Sequence, residues 1–461
     1  MIFVFCKSNQ LIMKQKFYIV FLLFLFTQAF FAQDSLSVKL HPAQKYPWSV
    51  LYQLKDVKQL YINNKQQNKD SVFVYDMAQL TPGMYLLMYD MDSQNFVYFI
   101  YNHESVQLDV YPKQYNKILI RKSKENKVFL PYAGKHNLLV SKLNKIEGKL
   151  AAGNLSVHDK QTFKLLKKNL DSLQLKYLKK STGLLANKYI KNMAEYYPDI
   201  NKPAKAYFTD KLQNYFSHVN FNDADLKRSN ILIDKINTYV FNINPPKNPK
   251  TKHLEYLKRI ENILPRIKDS VYKNNVIFSL TTSFVNVDGR VSKTLIDKYI
   301  KKMPAEEQQK INLQSVLDQI GLTIGEKAPD FNFNDLKGHQ YNLYKITPKK
   351  PYTLLIFWSA TCPHCLHAMP KIQKMFKDRD NFNIVAIGLE TEHYPWSSEH
   401  QYYPEFIHGI KLEKWNNPII KTYGIHATPT FFILNDKNEI IAEPYEVKDI
   451  QEFLDNLYDK K

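Results

Sequence analysis

Short apolar runs bounded by turn residues dominate the first quarter of the chain. Examples are "SVFVYDM" at 71–77 and "FVYFIYN" at 96–102, and Thr81, Pro82 and Gly83 provide turn chemistry between such runs. Runs of this length, rich in Val, Phe and Tyr, are typical of β-strands. The pattern predicts an all-β, sandwich-like domain over residues 33–120.

The spacing of apolar residues changes beyond residue 120. In "FKLLKKNLDSLQLKYLKK", residues 163–180, apolar positions recur at steps of three and four, and lysines lie between them. This period is typical of a helix whose apolar stripe faces a core. The pattern predicts an all-α domain over residues 121–318.

The last third of the chain alternates between the two patterns. The buried-type strands "YTLLIFW" at 352–358 and "FNIVAIGLE" at 382–390 are separated by a helical stretch, and a helix is predicted at 447–459. Alternating strands and helices indicate an α/β sheet. The chain is therefore predicted to be multidomain, with an α/β domain at residues 319–461.

An apolar run near the N-terminus has the features of an export signal. Lys14 and Lys16 precede the run at 17–31, and Ala32 supplies the small residue required for cleavage before Gln33. We predict that residues 1–32 are a signal peptide cleaved near Ala32, with an uncleaved anchor as the alternative. The expected location is the periplasm or cell envelope.

The chain has 461 residues and a formal net charge of +20 at pH 7. Residues 33–320 carry 45 Lys and Arg against 26 Asp and Glu, whereas residues 321–461 carry 16 against 18. Any attraction to acidic partners belongs to residues 33–320. Lysine-rich solvated helix faces are the favoured explanation, with weak association to a membrane surface as the alternative. No nucleic-acid partner is expected of an exported protein.

Two of the three cysteines, Cys362 and Cys365, enclose Pro363 and His364, and the third lies in the predicted leader. A structural zinc site needs further ligands, and the chain has no second cysteine pair. Haem attachment needs a histidine directly after the second cysteine, where Leu366 stands. We favour a redox-active dithiol that needs no metal and no cofactor. A copper site with a nearby His or Met and an inert disulfide are the alternatives.

A helix that begins just after Cys362 would stabilise the thiolate of this residue, because unpaired N–H groups and the helix dipole point at the sulfur. Pro363 suits the first helical position, and His364 can add a donor or a positive charge. Cys362 is therefore the predicted nucleophile. Cys365, one turn further on, is predicted to resolve the mixed disulfide.

These motifs resemble a thioredoxin-fold active site. With "GEKAPDF" at 325–331 upstream, residues 321–461 resemble the TlpA/ResA-like family of exported thiol–disulfide oxidoreductases. The resemblance implies a thioredoxin fold and a cis Pro429 that lies against the two sulfurs. It also implies substrate-binding residues, which are Trp358, Pro363 and Thr428.

One position departs from the thioredoxin pattern. Ile356 stands where thioredoxin keeps a buried aspartate that handles the proton of the resolving thiol. TlpA-like proteins often carry a glutamate after the next strand, and this resemblance implies Glu390 as the candidate proton acceptor, with Glu392 as the next candidate. A surface carboxylate without a role is the alternative for Glu390.

The predicted function is exchange of disulfides with envelope proteins through the CPHC dithiol, as a reductase or isomerase. His364 resembles the dipeptide of DsbA-like oxidants, so such an oxidant is one alternative. A non-enzymatic envelope-binding scaffold with a vestigial thioredoxin domain is another. The expected partners are protein thiol or disulfide substrates and a membrane or periplasmic redox partner.

Overall fold

The protein is described by a computed structural model over residues 34–90, 93, 95–114, 117–248 and 251–458. The predicted signal peptide at residues 1–32 lies outside these described residues. None of the described helices is both long enough and apolar enough to cross a bilayer.

The chain divides into two compact units. The first comprises the described residues up to Pro245 together with Arg266–Tyr272, and the second comprises Pro246–Pro265 together with the residues from Lys273 onward. The division into three domains at residues 33–120, 121–318 and 319–461, which was inferred from the sequence, stays a prediction.

Strands make up the N-terminal part of the first unit, in two four-stranded sheets of order β4-β1-β7-β8 and β3-β2-β5-β6. Side chains from both sheets, including Leu36, Tyr85 and Phe99, are buried in one apolar core. Two sheets that share a core in this way have the arrangement of a β-sandwich. The strands are β1 Ser35–Leu40, β2 Trp48–Lys55, β3 Lys58–Gln66, β4 Val72–Asp76, β5 Gly83–Asp90, β6 Asn95–Tyr101, β7 Val106–Tyr111 and β8 Lys117–Lys122.

Helices fill the middle of the chain, so the predicted β-rich start and helical middle are both confirmed. Phe163, Leu170 and Tyr177 of the predicted stripe are buried on one helix, which opens with a capping box. The helices are α1 Lys124–Ala151, α2 Val157–Lys180, α3 Leu185–Asn192, α4 Ala204–Asn214, α5 Ile231–Asn237, α6 Lys252–Ile263, α7 Ser270–Phe284, α8 Gly289–Lys298, α9 Ala305–Gln308 and α10 Leu313–Ile320.

A buried ion pair joins α1 to α4 within the first unit. The ammonium of Lys211 lies 2.5 and 2.7 Å from the two carboxylate oxygens of Glu147. Their side chains are only 5% and 10% exposed. Tyr207 donates a further hydrogen bond of 2.7 Å to Glu147, and the Lys211 ammonium lies 4.3 Å from the ring centroid of Tyr197. Each charge is therefore compensated by close partners, as a buried charge requires.

The C-terminal part of the second unit is built on a seven-stranded sheet of order β10-β9-β13-β12-β11-β14-β15. The strands are β9 Asn332–Asn334, β10 Gln340–Asn342, β11 Tyr352–Trp358, β12 Phe382–Leu389, β13 Ile407–Lys411, β14 Thr430–Asn435 and β15 Ile440–Ala442. The helices of this region are α11 Leu343–Ile346, α12 Pro363–Phe376, α13 Trp396–Glu399, α14 Pro418–Tyr423 and α15 Val447–Tyr458.

The central strand β11 is buried on both faces, which explains its unbroken apolar sequence. Leu354 and Ile356 pack into a core on one side of the sheet, where α12 and α15 lie. Leu355 and Phe357 pack into a second core on the other side. β11 runs parallel to β12 and antiparallel to β14. A mixed sheet with helices on both faces confirms the predicted thioredoxin fold of this region.

We expect Lys211→Met to lower the free energy of unfolding of the first unit by about 3–5 kcal/mol, because it leaves the Glu147 carboxylate buried without its cation. The double variant Lys211→Met with Glu147→Leu should lose less free energy of unfolding than the single variant, since neither charge of the pair then remains buried. Native-state hydrogen exchange of the α1 and α4 amides measures both losses. A loss under about 1 kcal/mol in the single variant contradicts this assignment.

Candidate active site

The carboxyl end of β11 leads through a short loop into α12, and Cys362 stands at that junction. Cys362 is the N-cap of the helix, with an extended backbone of φ −96° and ψ 115°, and Pro363 occupies the first turn. The carbonyl of Cys362 accepts the N–H of Leu366 at 3.1 Å, as an N-cap carbonyl does. The predicted helix start directly after Cys362 is confirmed.

The two thiols differ in their access to solvent. Both are free, but Cys362 is partly exposed and Cys365 is fully buried. The sulfur of Cys362 lies 3.1 Å from the carbonyl oxygen of Thr428. The peptide bond between Thr428 and Pro429 is cis, as the resemblance implies. The fold therefore brings the outer sulfur against the loop that precedes β14.

Hydrogen bonds control the ionisation of the outer thiol. Burial by itself would raise the pKa of Cys362, but hydrogen bonds to the sulfur outweigh it and lower the pKa below the ordinary value. The bonds that stabilise the thiolate come from the Cys365 thiol and from the backbone N–H groups of Cys365 and His364. The helix N-terminus therefore favours the thiolate, which is the reactive form of a cysteine.

The net shift of the pKa is in the opposite direction at the inner thiol, where burial dominates. Burial raises the pKa of Cys365 to about 12, and the hydrogen bond with Cys362 acts in the same direction. The backbone of Ser359 also hydrogen-bonds the Cys365 sulfur and opposes the rise. The inner sulfur therefore keeps its proton at neutral pH and needs a proton acceptor before it can react.

The parallel pairing of β11 and β12 places Glu390 beside the loop that leads to Cys362. Trp358 is level with Gly388 across the two strands, and Ala360 and Glu390 each follow two residues later in the chain. The N–H of Ala360 donates to Glu390 Oε1 at 2.6 Å, and the Ser359 hydroxyl donates to Glu390 Oε2 at 3.0 Å.

Glu390 is only 2% exposed, so it is not a surface carboxylate. Burial raises the pKa of its carboxyl group, whereas the bonds from Ala360 and Ser359 and the charge of Lys414 oppose that rise. A buried carboxyl group with a raised pKa is suited to act as a general acid or base. Its role as the proton acceptor stays a prediction.

The other predicted residues occupy different settings. Pro363 and His364 are exposed in the first turn of α12, and Thr428 is partly exposed. Trp358 is fully buried and packs edge-on against Tyr403, with ring centroids 6.1 Å apart. Trp358 therefore supports the site from the core in this structure, and its contact with a substrate stays a prediction.

Sequence reasoning missed three polar side chains that a series of hydrogen bonds connects to Glu390. Ser359 and Thr361 lie three and one residues before Cys362, and their position next to the motif was the available signal. Lys414 is distant in sequence from the cysteine motif, and no sequence pattern identifies it as a site residue. Its ammonium donates to the Thr361 hydroxyl at 3.0 Å.

Across the described parts of the chain, no group of three or more His, Cys, Asp or Glu side chains could hold a metal ion.

Comparisons with known proteins place this region among thioredoxin-like sequences. Residues 324–450 match the AhpC/TSA family. The thiol-disulfide oxidoreductase ResA of Bacillus cereus is 26% identical over 174 residues, which cover 37% of this chain and 88% of that protein. The thioredoxin-like protein YneN of Bacillus subtilis is 26% identical over 123 residues, which cover 26% of this chain and 71% of that protein.

A similar solved structure is a domain of a "possible thiol-disulfide isomerase" from Cytophaga hutchinsonii. It is 27% identical, with a TM-score of 0.27, and the match covers 30% of this chain and 95% of that chain.

We expect limited alkylation of the reduced protein at pH 7 to label Cys362 and to leave Cys365 largely unlabelled. The lowered pKa and the exposure of Cys362 favour its reaction, whereas burial protects Cys365. Mass spectrometry of the peptides after iodoacetamide treatment measures both yields, and denatured protein should label at both positions. Equal labelling of the two cysteines in the folded protein contradicts the asymmetry.

Proposed function

We propose that this chain, whose C-terminal region is a thioredoxin-like domain of the TlpA/ResA type, is an exported thiol–disulfide oxidoreductase. One observation carries the proposal. A partly exposed thiol with a lowered pKa starts a helix, and a second, buried thiol lies one turn behind it. The matches to proteins named as thiol–disulfide oxidoreductases support the same activity.

The exchange follows from the order of the two sulfurs. The Cys362 thiolate attacks a substrate disulfide, forms a mixed disulfide and releases the first substrate sulfur as a thiolate. Cys365 then loses its proton to Glu390 and attacks the Cys362 sulfur. The Cys362–Cys365 disulfide forms, the second substrate sulfur leaves, and the substrate has gained two electrons from the dithiol.

Thr428 provides a place for the substrate backbone. Its carbonyl oxygen accepts the Cys362 thiol at 3.1 Å in the reduced protein. A thiolate has no hydrogen to donate, so ionisation of Cys362 frees this carbonyl for a substrate N–H. In this proposal Pro429 and Thr428 align the substrate chain while His364 and Pro363 form the exposed rim.

The substrates in this proposal are protein disulfides of the cell envelope, and a membrane or periplasmic redox partner restores the dithiol. The basic leader followed by an apolar run and Ala32 supports export, since this is the arrangement of a signal peptide. The chain acts as a reductase or isomerase. Its relative ResA is named a thiol-disulfide oxidoreductase, and this name is compatible with both activities.

We expect Cys365→Ser to accumulate mixed disulfides with protein substrates, because the attacking thiolate remains and the resolving thiol is absent. Cys362→Ser should form no such adducts and should lose insulin reduction in the full chain. Non-reducing electrophoresis followed by mass spectrometry of the adducts measures the first result. Failure to recover any covalent partner from Cys365→Ser would falsify the proposed exchange.

The reduction potential of the Cys362–Cys365 couple separates a reductase from an oxidant. We expect a value closer to that of thioredoxin, about −270 mV, than to that of DsbA, about −120 mV. Equilibration of the full chain with glutathione redox buffers and thiol trapping measures it. A value near that of DsbA would assign the oxidant role that His364 suggests.

A further inference from the structure

A chain of hydrogen bonds connects the buried Glu390 carboxylate to a surface lysine. The Ser359 hydroxyl donates to Glu390 at 3.0 Å, and the oxygens of Ser359 and Thr361 are 2.9 Å apart. The Lys414 ammonium donates to the Thr361 hydroxyl oxygen at 3.0 Å. Two hydroxyl groups therefore separate a carboxylate from an ammonium.

The two ends of this chain determine the direction of every hydrogen bond within it. An ammonium has only donors and a carboxylate has only acceptors. Ser359 gives its one hydroxyl hydrogen to Glu390, so it must accept from Thr361. Thr361 in turn accepts from Lys414. All the O–H dipoles then point toward the carboxylate, and bonds aligned in this way strengthen one another.

The backbone holds Lys414 in place for this contact. Glu413 and Lys414 are consecutive non-glycine residues with positive φ angles of 70° and 41°. Residues other than glycine rarely adopt positive φ angles, and such a conformation persists only where the surrounding structure imposes it. Here the N–H of Glu390 donates to the Lys411 carbonyl and the N–H of Lys414 donates to the Glu390 carbonyl, both at 3.0 Å.

Titratable groups lie on the two segments that hydrogen-bond Glu390. The thiols of Cys362 and Cys365 belong to the segment that enters α12, Lys411 ends β13, and the turn after β13 carries Glu413 and Lys414. Glu413 is exposed, and the Lys411 ammonium donates to a backbone carbonyl of β9 at 2.7 Å. Lys414 is the cation of this turn that hydrogen bonds connect to the carboxylate.

We propose that Lys414 is a positioning residue that keeps Glu390 ionised through the aligned hydroxyl groups of Thr361 and Ser359. The inference rests on the proposed function, in which the ionised carboxylate takes the proton of Cys365. Ser359 borders both groups, because its backbone bonds the Cys365 sulfur and its hydroxyl bonds Glu390. Protonated Glu390 cannot take a further proton, so the charge of Lys414 extends exchange to lower pH.

The titration of Glu390 tests the proposal directly. In the full chain labelled with ¹³C at glutamate carboxyl groups, Lys414→Met should raise the titration midpoint of Glu390 by about half a pH unit or more, since an opposite charge is lost. Thr361→Val should also raise it, because the hydroxyl link is broken while the ammonium remains. Thr361→Ser and Lys414→Arg should restore the midpoint toward that of the unmodified protein.

An exposed lysine on α14, Lys421, provides the matched control. Lys421→Met removes the same charge and should leave the midpoint of Glu390 unchanged. In the unmodified protein, added salt should raise the midpoint toward that of Lys414→Met, because salt screens a partly exposed charge. A midpoint that is the same in the unmodified protein, Lys414→Met and Thr361→Val overturns the proposal.

Exchange activity separates this inference from the proposed function. The acid limb of the pH profile for insulin reduction should move upward in Lys414→Met by the same amount as the NMR midpoint. Absence of exchange in the unmodified chain would reject the function, and the NMR titration would still report on Lys414. Normal exchange with an unmoved acid limb in Lys414→Met would reject only the role of this residue.

Discussion

The first turn of the helix Pro363–Phe376 contains backbone N–H groups that the helix itself cannot satisfy, and the sulfur of Cys362 lies against them. This contact stabilises a negative charge on the partly exposed sulfur of Cys362. It exists because β11, buried on both faces, delivers the chain to the same edge of the sheet where α12 starts. The sheet therefore matters to the chemistry chiefly as the support that keeps this helix start and the Thr428–Pro429 loop together.

The second requirement of exchange is a difference between two identical side chains. Cys362 and Cys365 are one helical turn apart, yet burial raises the pKa of one and hydrogen bonding lowers the pKa of the other. In the proposed exchange this difference orders the reaction, because the exposed thiolate attacks first and the buried thiol waits for a base. Ile356 offers no carboxylate, and the proposed acceptor is Glu390, which is buried directly after the neighbouring strand β12.

Local chemistry explains which features could be predicted from the sequence. Pro363 after Cys362 indicated a helix start, and the spacing of Phe163, Leu170 and Tyr177 indicated a buried stripe, because both signals lie within one element. Lys414 could not be predicted, since its contact with Thr361 depends on strand pairing and on a turn distant in sequence. The buried position of Trp358 likewise depends on tertiary packing that a motif does not reveal.

The turn that carries Lys414 illustrates a conflict between stability and activity. Glycine at Glu413 or Lys414 would relieve the positive φ angles, because glycine adopts them without steric cost. At Lys414 the same change would delete the ammonium that ends the hydrogen-bond chain. A search for more thermostable variants would therefore favour a substitution that removes the cation proposed to keep Glu390 ionised, so stability and turnover need to be screened together for this loop.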